Sequence, residues 1–427
     1  MNEERRSHDA AENPADPGSA ALGDLRVLDL SRILAGPWAT QALADLGAEV
    51  LKIERPEGGD DTRTWGPPFM SPTLDGRGAE REDAAYFTAA NRNKHSLAID
   101  FSQPEGAALV RRLAARADVL VENFKLGGLR RYGLDYESLS ALNPRLIYCS
   151  ITGFGQEGPY AARAGYDYLI QGMGGLMSIT GQPEDAPGAG PVKVGVAVCD
   201  LFTGLYATTS ILAALRWRER SGRGQHIDCS LLASTVAILA NQNANHLVGG
   251  VAPGRMGNKH PNVMPYSVYA VADGHVIIAC GNDRQFARLA EALGLDGLSA
   301  DARFETNAAR IRHREALDAV LQPVLEAIGK DELIARLETA GVPCGPINTI
   351  PEVFADPQVA ALGMRVDLDR DDGETIPTVA YPARLSATPA SYRRAPPRLG
   401  ADTETVLRSA LGIDDTDLNR LRDDGVI

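Results

Sequence analysis

With 427 residues the chain exceeds the usual length of one domain, so two domains are expected. Its 44% hydrophobic and 23% charged residues are ordinary for a soluble globular protein with a sizeable core. A net charge of −13, with Lys and Arg scattered along the chain, argues against nucleic acid as a partner, and an anionic ligand would need a local basic cluster.

Residues 1–23 are polar and aperiodic and read as a disordered tail, without the features of a secretion signal. "LRVLDL" (25–30) is a short apolar run of strand type. "PWATQALADLGA" follows as a helix with Pro37 in its first turn, and "EVLKIE" (49–54) is the next strand. This βαβ pattern returns as the strand "SLAIDF" (96–101), a helix over 104–117 and the strand "DVLVENF" (118–124). "LIYCSIT" (146–152) adds a further strand. Repetition of this kind predicts a parallel sheet covered by helices on both faces. A helical pattern runs from Asp200 to about Arg220 and stops in "RERSGRG". A second segment then opens with a strand over 225–230 and a helix over 231–248. It continues through a Gly/Pro-rich loop (249–265), a hairpin over 267–280 turning at Asp273-Gly274, and helices to about 339. No apolar stretch is expected to span a membrane.

The motifs narrow the chemistry. None of the seven histidines forms a metal-ligand spacing, so no metal site is expected. "QGMGGLMSITG" (171–181) lacks the Lys-Ser/Thr of a P-loop and reads as a loop between packed helices. No GxSxG is present, and "SRILAGP" after the first strand is not the GxGxxG of a dinucleotide-dependent dehydrogenase. "NRNK" (91–94) and "ERPEGGDDTR" (54–63) are polar, basic turns at strand ends; they are either ligand loops or solvated ones. "NFKLGGLRR" groups Lys125, Arg130 and Arg131, a set able to hold phosphates. The five cysteines, Cys149, Cys199, Cys229, Cys280 and Cys344, form no CxxC and read as reduced thiols of a cytoplasmic protein. In "KVGVAVCDLFTGLYATT" (193–209), Asp200 is a lone carboxylate among small and apolar residues. It reads as a helix N-cap, or as a nucleophile kept ionised by helix-end N–H groups in a dry site. Cys199 beside it reads as a packed thiol.

Taken together, "VLDLSRILAGPWATQALADLGAEVLKIERPEGGDDTR", "YFTAANRNKHSLAIDF", "DVLVENF", "LIYCSITGFGQEGPY", "RAGYD", "CDLFTG", "GVPCGPINTI" and "APPRLGADT" resemble the class III CoA-transferase family over nearly the whole chain after residue 23. "GDDTRTWGPPF" and "RAGYD" bring it nearest the branch using succinyl-CoA and dicarboxylic acids such as glutarate. The resemblance implies that Asp200 is the acyl-accepting nucleophile. It also implies coenzyme A contacts at Ile33, Ala35, Arg55, Ile99, Asn123, Phe124 and Arg131, and a substrate pocket with Trp65, Tyr86 and Tyr166. Coenzyme A thioesters are then substrates, and no cofactor is held permanently. The implied α/β architecture is a Rossmann-like large domain (24–220 and 340–427) and a smaller α+β domain (225–339), assembled as an interlocked homodimer. Leu34 replaces a family Gln and the glycine-rich mobile loop is absent from "VGGVAPGRMGNKHP", which disfavours oxalate–formate exchange; Asp402 replaces a family His. α-Methylacyl-CoA racemase shares this fold, but its catalytic His falls at Tyr166, and Asp283-Arg284 replace its Glu-Pro. A tyrosine is a poor base near pH 7. A non-enzymatic coenzyme A-binding scaffold would keep the basic group but would not need Asp200.

Overall fold

The computed structural model describes residues 20–427; the expected disordered tail lies, except for its last four residues, outside them. The chain divides into two compact units. The first comprises the described residues up to Leu176, Val194–Leu247 and Ala360–Ile427; the second comprises Met177–Lys193 and Val248–Val359.

The first unit is built on a six-stranded parallel sheet. Its strands are β1 (Arg26–Asp29), β2 (Glu49–Glu54), β3 (Lys94–Ala98), β4 (Val119–Glu122), β5 (Ile147–Thr152) and β6 (His226–Ser230), in spatial order 3-2-1-4-5-6. This is the doubly wound order of dinucleotide-binding sheets. β1 to β4 are buried almost throughout, as a sheet covered on both faces requires. Alternate residues sort to the two faces. Leu28, Leu51, Ile53, Leu97 and Leu120 meet the helix α2 (Pro104–Ala114) and two C-terminal helices, Thr403–Leu411 and Asp415–Asp423. Val27, Val50, Val119, Val121 and Ile147 face the helices α1 (Ala35–Asp45) and α4 (Val198–Ser221). The short helix α3 (Asp167–Met173) precedes α4, and α5 (Leu231–Ile238) follows β6.

α1 and α4 cross closely because Gly204 has no side chain: a Cβ there would lie 2.7 Å from the Ala35 carbonyl oxygen. α4 corrects one expectation. Its 24 residues, with a mean hydropathy of 1.5 over an 18-residue window, are long and apolar enough to cross a membrane. Cys199, Ala207, Ile211, Ala214 and Leu215 are nevertheless buried against the sheet and α1.

The strand expected at 225–230 forms, but it does not open the middle domain. It pairs in parallel with β5, from Tyr148↔His226 to Thr152↔Ser230, so the first unit extends to Leu247. The expected helix over 231–248 breaks at Ala240, whose φ of 45° is left-handed, giving Leu231–Ile238 and Ala240–Gly249. The second unit holds the expected hairpin as Tyr266–Val271 and Gly274–Ala279, in a three-stranded sheet with Cys344–Gly345. Helices over Asp283–Ala292, Arg314–Leu325 and Lys330–Thr339 cover its core of Val276, Ile278, Phe286, Leu317 and Leu333.

Candidate active site

The strand order reverses between β1 and β4, and on such sheets ligands bind beyond the carboxyl ends of these strands. Asn123, leaving β4, laces the two exits together. Its Oδ1 accepts the Arg32 N–H at 2.9 Å and its Nδ2 donates to the Arg32 carbonyl at 2.7 Å. Ile33 lies at φ 70°, a region that a β-branched residue rarely adopts. The Asp60 carboxylate holds it there, accepting the Ile33 N–H at 3.1 Å while also taking Lys52 Nζ at 2.9 Å and both the N–H and hydroxyl of Thr62. Burial alone would raise the Asp60 pKa. The Lys52 charge and the Thr62 donors outweigh it and hold the carboxyl at about 2. A buried ion pair thus maintains the strained turn.

A cavity of about 400 Å³ opens over this turn, bordered by Ile33, Ala35, Asn123, Phe124, Arg131, Tyr166 and Asp200. A second cavity of about 240 Å³ is bordered by Arg55 and Ile99, and the two share Arg32, Phe101 and Phe124. The residues named for coenzyme A contact therefore converge on two adjoining hollows at the carboxyl edge of the sheet. Trp65 and Tyr86 border neither hollow. They pack edge to face at 5.4 Å. Burial, and after it the charges of Asp200, Asp167 and Asp60, raise the Tyr86 pKa, so Tyr86 stands beside the acidic end of the site. Within "NFKLGGLRR" the basic group is divided: Arg131 borders the larger cavity, Arg130 borders a different one with Glu122 and His226, and Lys125 lies between and borders both.

Asp200 is the third residue of α4, and it is not the cap. The residue at the N-cap position is Ala197, and the capping carboxylate comes from α3: Asp167 Oδ1 accepts the N–H groups of Cys199 at 2.7 Å and of Asp200 at 3.3 Å. Gln171, one turn along α3, donates to the other Asp167 oxygen at 2.6 Å. The helix-end donors that were expected to keep Asp200 ionised are thus spent on Asp167. Half-buried at the cavity, the Asp200 carboxyl is pushed up to about 7, first by burial and then by the Asp167 charge. Cys199 is buried, and burial pushes its thiol up to about 11, which makes it unreactive.

The two polar turns differ: "NRNK" is structural, whereas "ERPEGGDDTR" is largely buried but borders the second cavity. Asn91, Arg92, Asn93 and Lys94 are all buried, at the amino end of β3, away from the cavities. Lys94 Nζ reaches Asp29, the Pro37 carbonyl and Asn91, each at 3.0 Å, and Arg92 pairs with Asp45 at 2.5 Å. In "ERPEGGDDTR", Glu54, Asp60 and Arg63 are buried, with Arg63 bridging Glu54 and Asp83 at 2.8 Å each. Arg55 alone of that turn's arginines is left at a cavity, with its Nη2 3.1 Å from Asp61 Oδ1. Asp402 takes the Ser96 N–H at 3.0 Å, lies 3.1 Å from His95 Nδ1 and pairs with Arg394 at 2.6 Å. It fastens the C-terminal helix to β3.

Three site residues escape the sequence reading. Asp167 and Arg163 both lie in "RAGYD", but no local spacing links them to a residue more than 30 positions away. Arg32 borders both cavities, and its buried Nε has no hydrogen-bond partner among the described residues.

A model of CoA-transferase family III matches residues 22–403. The succinate–glutarate CoA-transferase of Agrobacterium fabrum is 54% identical over 396 residues, covering 91% of this chain and 97% of its own length. The human succinyl-CoA:glutarate CoA-transferase is 41% identical over 406 residues, covering 95% of this chain and 90% of its own. A CAIB/BAIF family protein from Brucella suis superimposes with a TM-score of 0.78 at 52% identity, over 90% of this chain and 98% of that one. A doubly wound sheet, two hollows rimmed by basic side chains at its switch point and relatives that match almost end to end agree on one assignment: the chain belongs to CoA-transferase family III and is a CoA-transferase.

Proposed function

We propose that the protein moves coenzyme A from succinyl-CoA to a dicarboxylic acid such as glutarate, with Asp200 as the covalent carrier. The observation that carries the proposal is the setting of Asp200. Its carboxylate borders the larger cavity at the head of α4, and no cation or hydrogen-bond donor shares it among the described residues. A poorly hydrated, unpaired carboxylate is a competent nucleophile once ionised.

In the proposed cycle an Asp200 oxygen attacks the thioester carbonyl, the C–S bond breaks, and a mixed anhydride and coenzyme A thiolate result. The thiolate attacks the aspartyl carbonyl, releasing the donor acid and leaving an aspartyl-CoA thioester. The acceptor carboxylate attacks that thioester to form a second anhydride. The thiolate then takes the new acyl group and frees Asp200. Each bond made resembles the bond broken, so no nucleotide is consumed. Arg55, Arg131 and Arg32 supply positive charge for the phosphates. Phe124, Ile33, Ala35, Ile99 and Asn123 line the path of the coenzyme; Tyr166 borders the acyl end in the larger cavity, and Tyr86, packed on Trp65, stands beside Asp200, where water must be kept out because it would hydrolyse either intermediate. No histidine borders the cavity, and Tyr166 occupies the place of a racemase base, which favours transfer over racemisation.

The same reading makes the protein a cytoplasmic, interlocked homodimer. Its five cysteines are unpaired, and Phe202, Leu205, Tyr206 and Trp217 leave an apolar face of α4 exposed, which a second copy would cover. Light scattering on diluted protein tests the assembly.

Incubation of the purified protein with succinyl-CoA and a panel of carboxylic acids, read by mass spectrometry of new thioesters, tests the activity. Glutaryl-CoA or a close homologue is expected; succinyl-CoA surviving with every acid would refute the assignment of donor.

A further inference from the structure

We propose that Arg163 binds the free carboxylate of a dicarboxylic acyl group, and so selects dicarboxylic over monocarboxylic substrates. The inference rests on the transfer reading above and adds the residue that sets its substrate class.

Arg163 borders the same cavity as Asp200 and Tyr166. Its guanidinium lies over the rings of Tyr160 and Phe154, at 4.5 and 5.2 Å, and these two rings pack edge to face at 5.6 Å. Aromatic faces fix the plane of a guanidinium and leave the N–H edges free to grip a carboxylate in bidentate fashion. No ion pair engages Arg163 among the described residues, unlike Arg32, which pairs with Asp61, and Arg55, which pairs with the same carboxylate. The loop that carries it is seated firmly. A Cβ on Gly165 would lie 2.5 Å from the Gly153 Cα, so the two backbones touch where β5 ends.

The sheet order separates Arg163 from Arg55, while Lys125 and Arg131, which follow β4, share the larger cavity with it. Arg55 follows β2, and Ile99 and Phe101 follow β3, which together form one flank of the sheet. Gly153 follows β5 and Leu231 follows β6, on the opposite flank, and both line the larger cavity with Arg163. A coenzyme whose phosphates lie toward β2 and β3 therefore points its acyl end toward Arg163. Donor and acceptor acyl groups pass through one position on Asp200 in turn. One guanidinium thus serves the second carboxylate of both.

The test compares wild type with Arg163→Met, using glutarate and its monocarboxylic isostere pentanoate as acceptors and succinyl-CoA as donor. In a double-displacement scheme kcat/KM for the acceptor reports the acceptor half alone. The expected result is a fall of about 10- to 100-fold for glutarate, the loss of one charge-assisted contact. Pentanoate should be unaffected, inhibition by free coenzyme A should be unchanged, and Arg163→Lys should recover part of the loss. An equal fall for both acids, no fall for glutarate, or weakened inhibition by coenzyme A would each overturn the proposal. Failure of the underlying transfer reading is distinct, because wild type itself would then exchange nothing.

Discussion

Replacing Asp200 by Asn should abolish exchange and, at the same time, stabilise the protein above neutral pH. The second effect follows from the raised acidity constant. An exposed Asp releases its proton near pH 3.8, whereas Asp200 keeps it to about 7. Between these values the folded state holds a proton that the unfolded chain has lost, so stability falls as pH rises through this window and stays reduced above it. At about 1.4 kcal/mol per pH unit the full cost is about 4 kcal/mol. Water at the mouth of a half-buried site screens part of this, leaving ~1–3 kcal/mol. Asparagine never ionises and escapes the cost. Thermal or denaturant melts of both proteins at pH 5 and pH 8 measure it. Asp200→Asn should be the more stable at both values, with a gap at pH 8 about twice that at pH 5. A variant equally stable at both pH values, or less stable at pH 8, would refute the claim that the site holds an unpaired, poorly hydrated carboxylate. Near-normal turnover by the variant would remove Asp200 as the nucleophile.

Other outcomes follow from the same geometry. In the proposed cycle only the ionised carboxylate attacks, so kcat/KM for the donor should rise with pH through about 7, and Asp167→Asn, by removing the neighbouring charge, should move that limb to lower pH in a pH–rate profile. Arg131→Ala should weaken coenzyme A binding by ~1.5–3 kcal/mol in calorimetry, and unchanged affinity would take it out of the site. Lys52→Met should destabilise the fold by about 3–5 kcal/mol in denaturant melts by leaving the buried Asp60 charge without its partner; a loss below 1 kcal/mol would show that the Ile33 turn does not depend on that pair.

The sheet was legible because its strands are nearly continuous apolar runs separated by helical periodicity. "EVLKIE" forms over the residues expected, and "LIYCSIT" differs by one. β6 was legible as a strand but not as a member of this sheet, since partner choice depends on contacts with β5 that lie more than 70 residues back. "NRNK" misled for a related reason. Charge in a turn ordinarily means solvent or ligand, and only the tertiary fold brings Asp29 and Asp45 against it so that the charges can be buried. Asp200 was found as a lone carboxylate in an apolar run, but its environment was read the wrong way. The helix-end N–H groups point to Asp167, and nothing in either local sequence announces that pairing.

The most direct test of the central claim is to trap the carrier. Protein turning over with succinyl-CoA is quenched with hydroxylamine or borohydride, digested with trypsin and examined by mass spectrometry. The peptide Val194–Arg216 should carry a hydroxamate or a reduced side chain at Asp200, and only when donor is present. An active enzyme whose Asp200 stays unmodified, or whose label falls on another residue, would contradict the account.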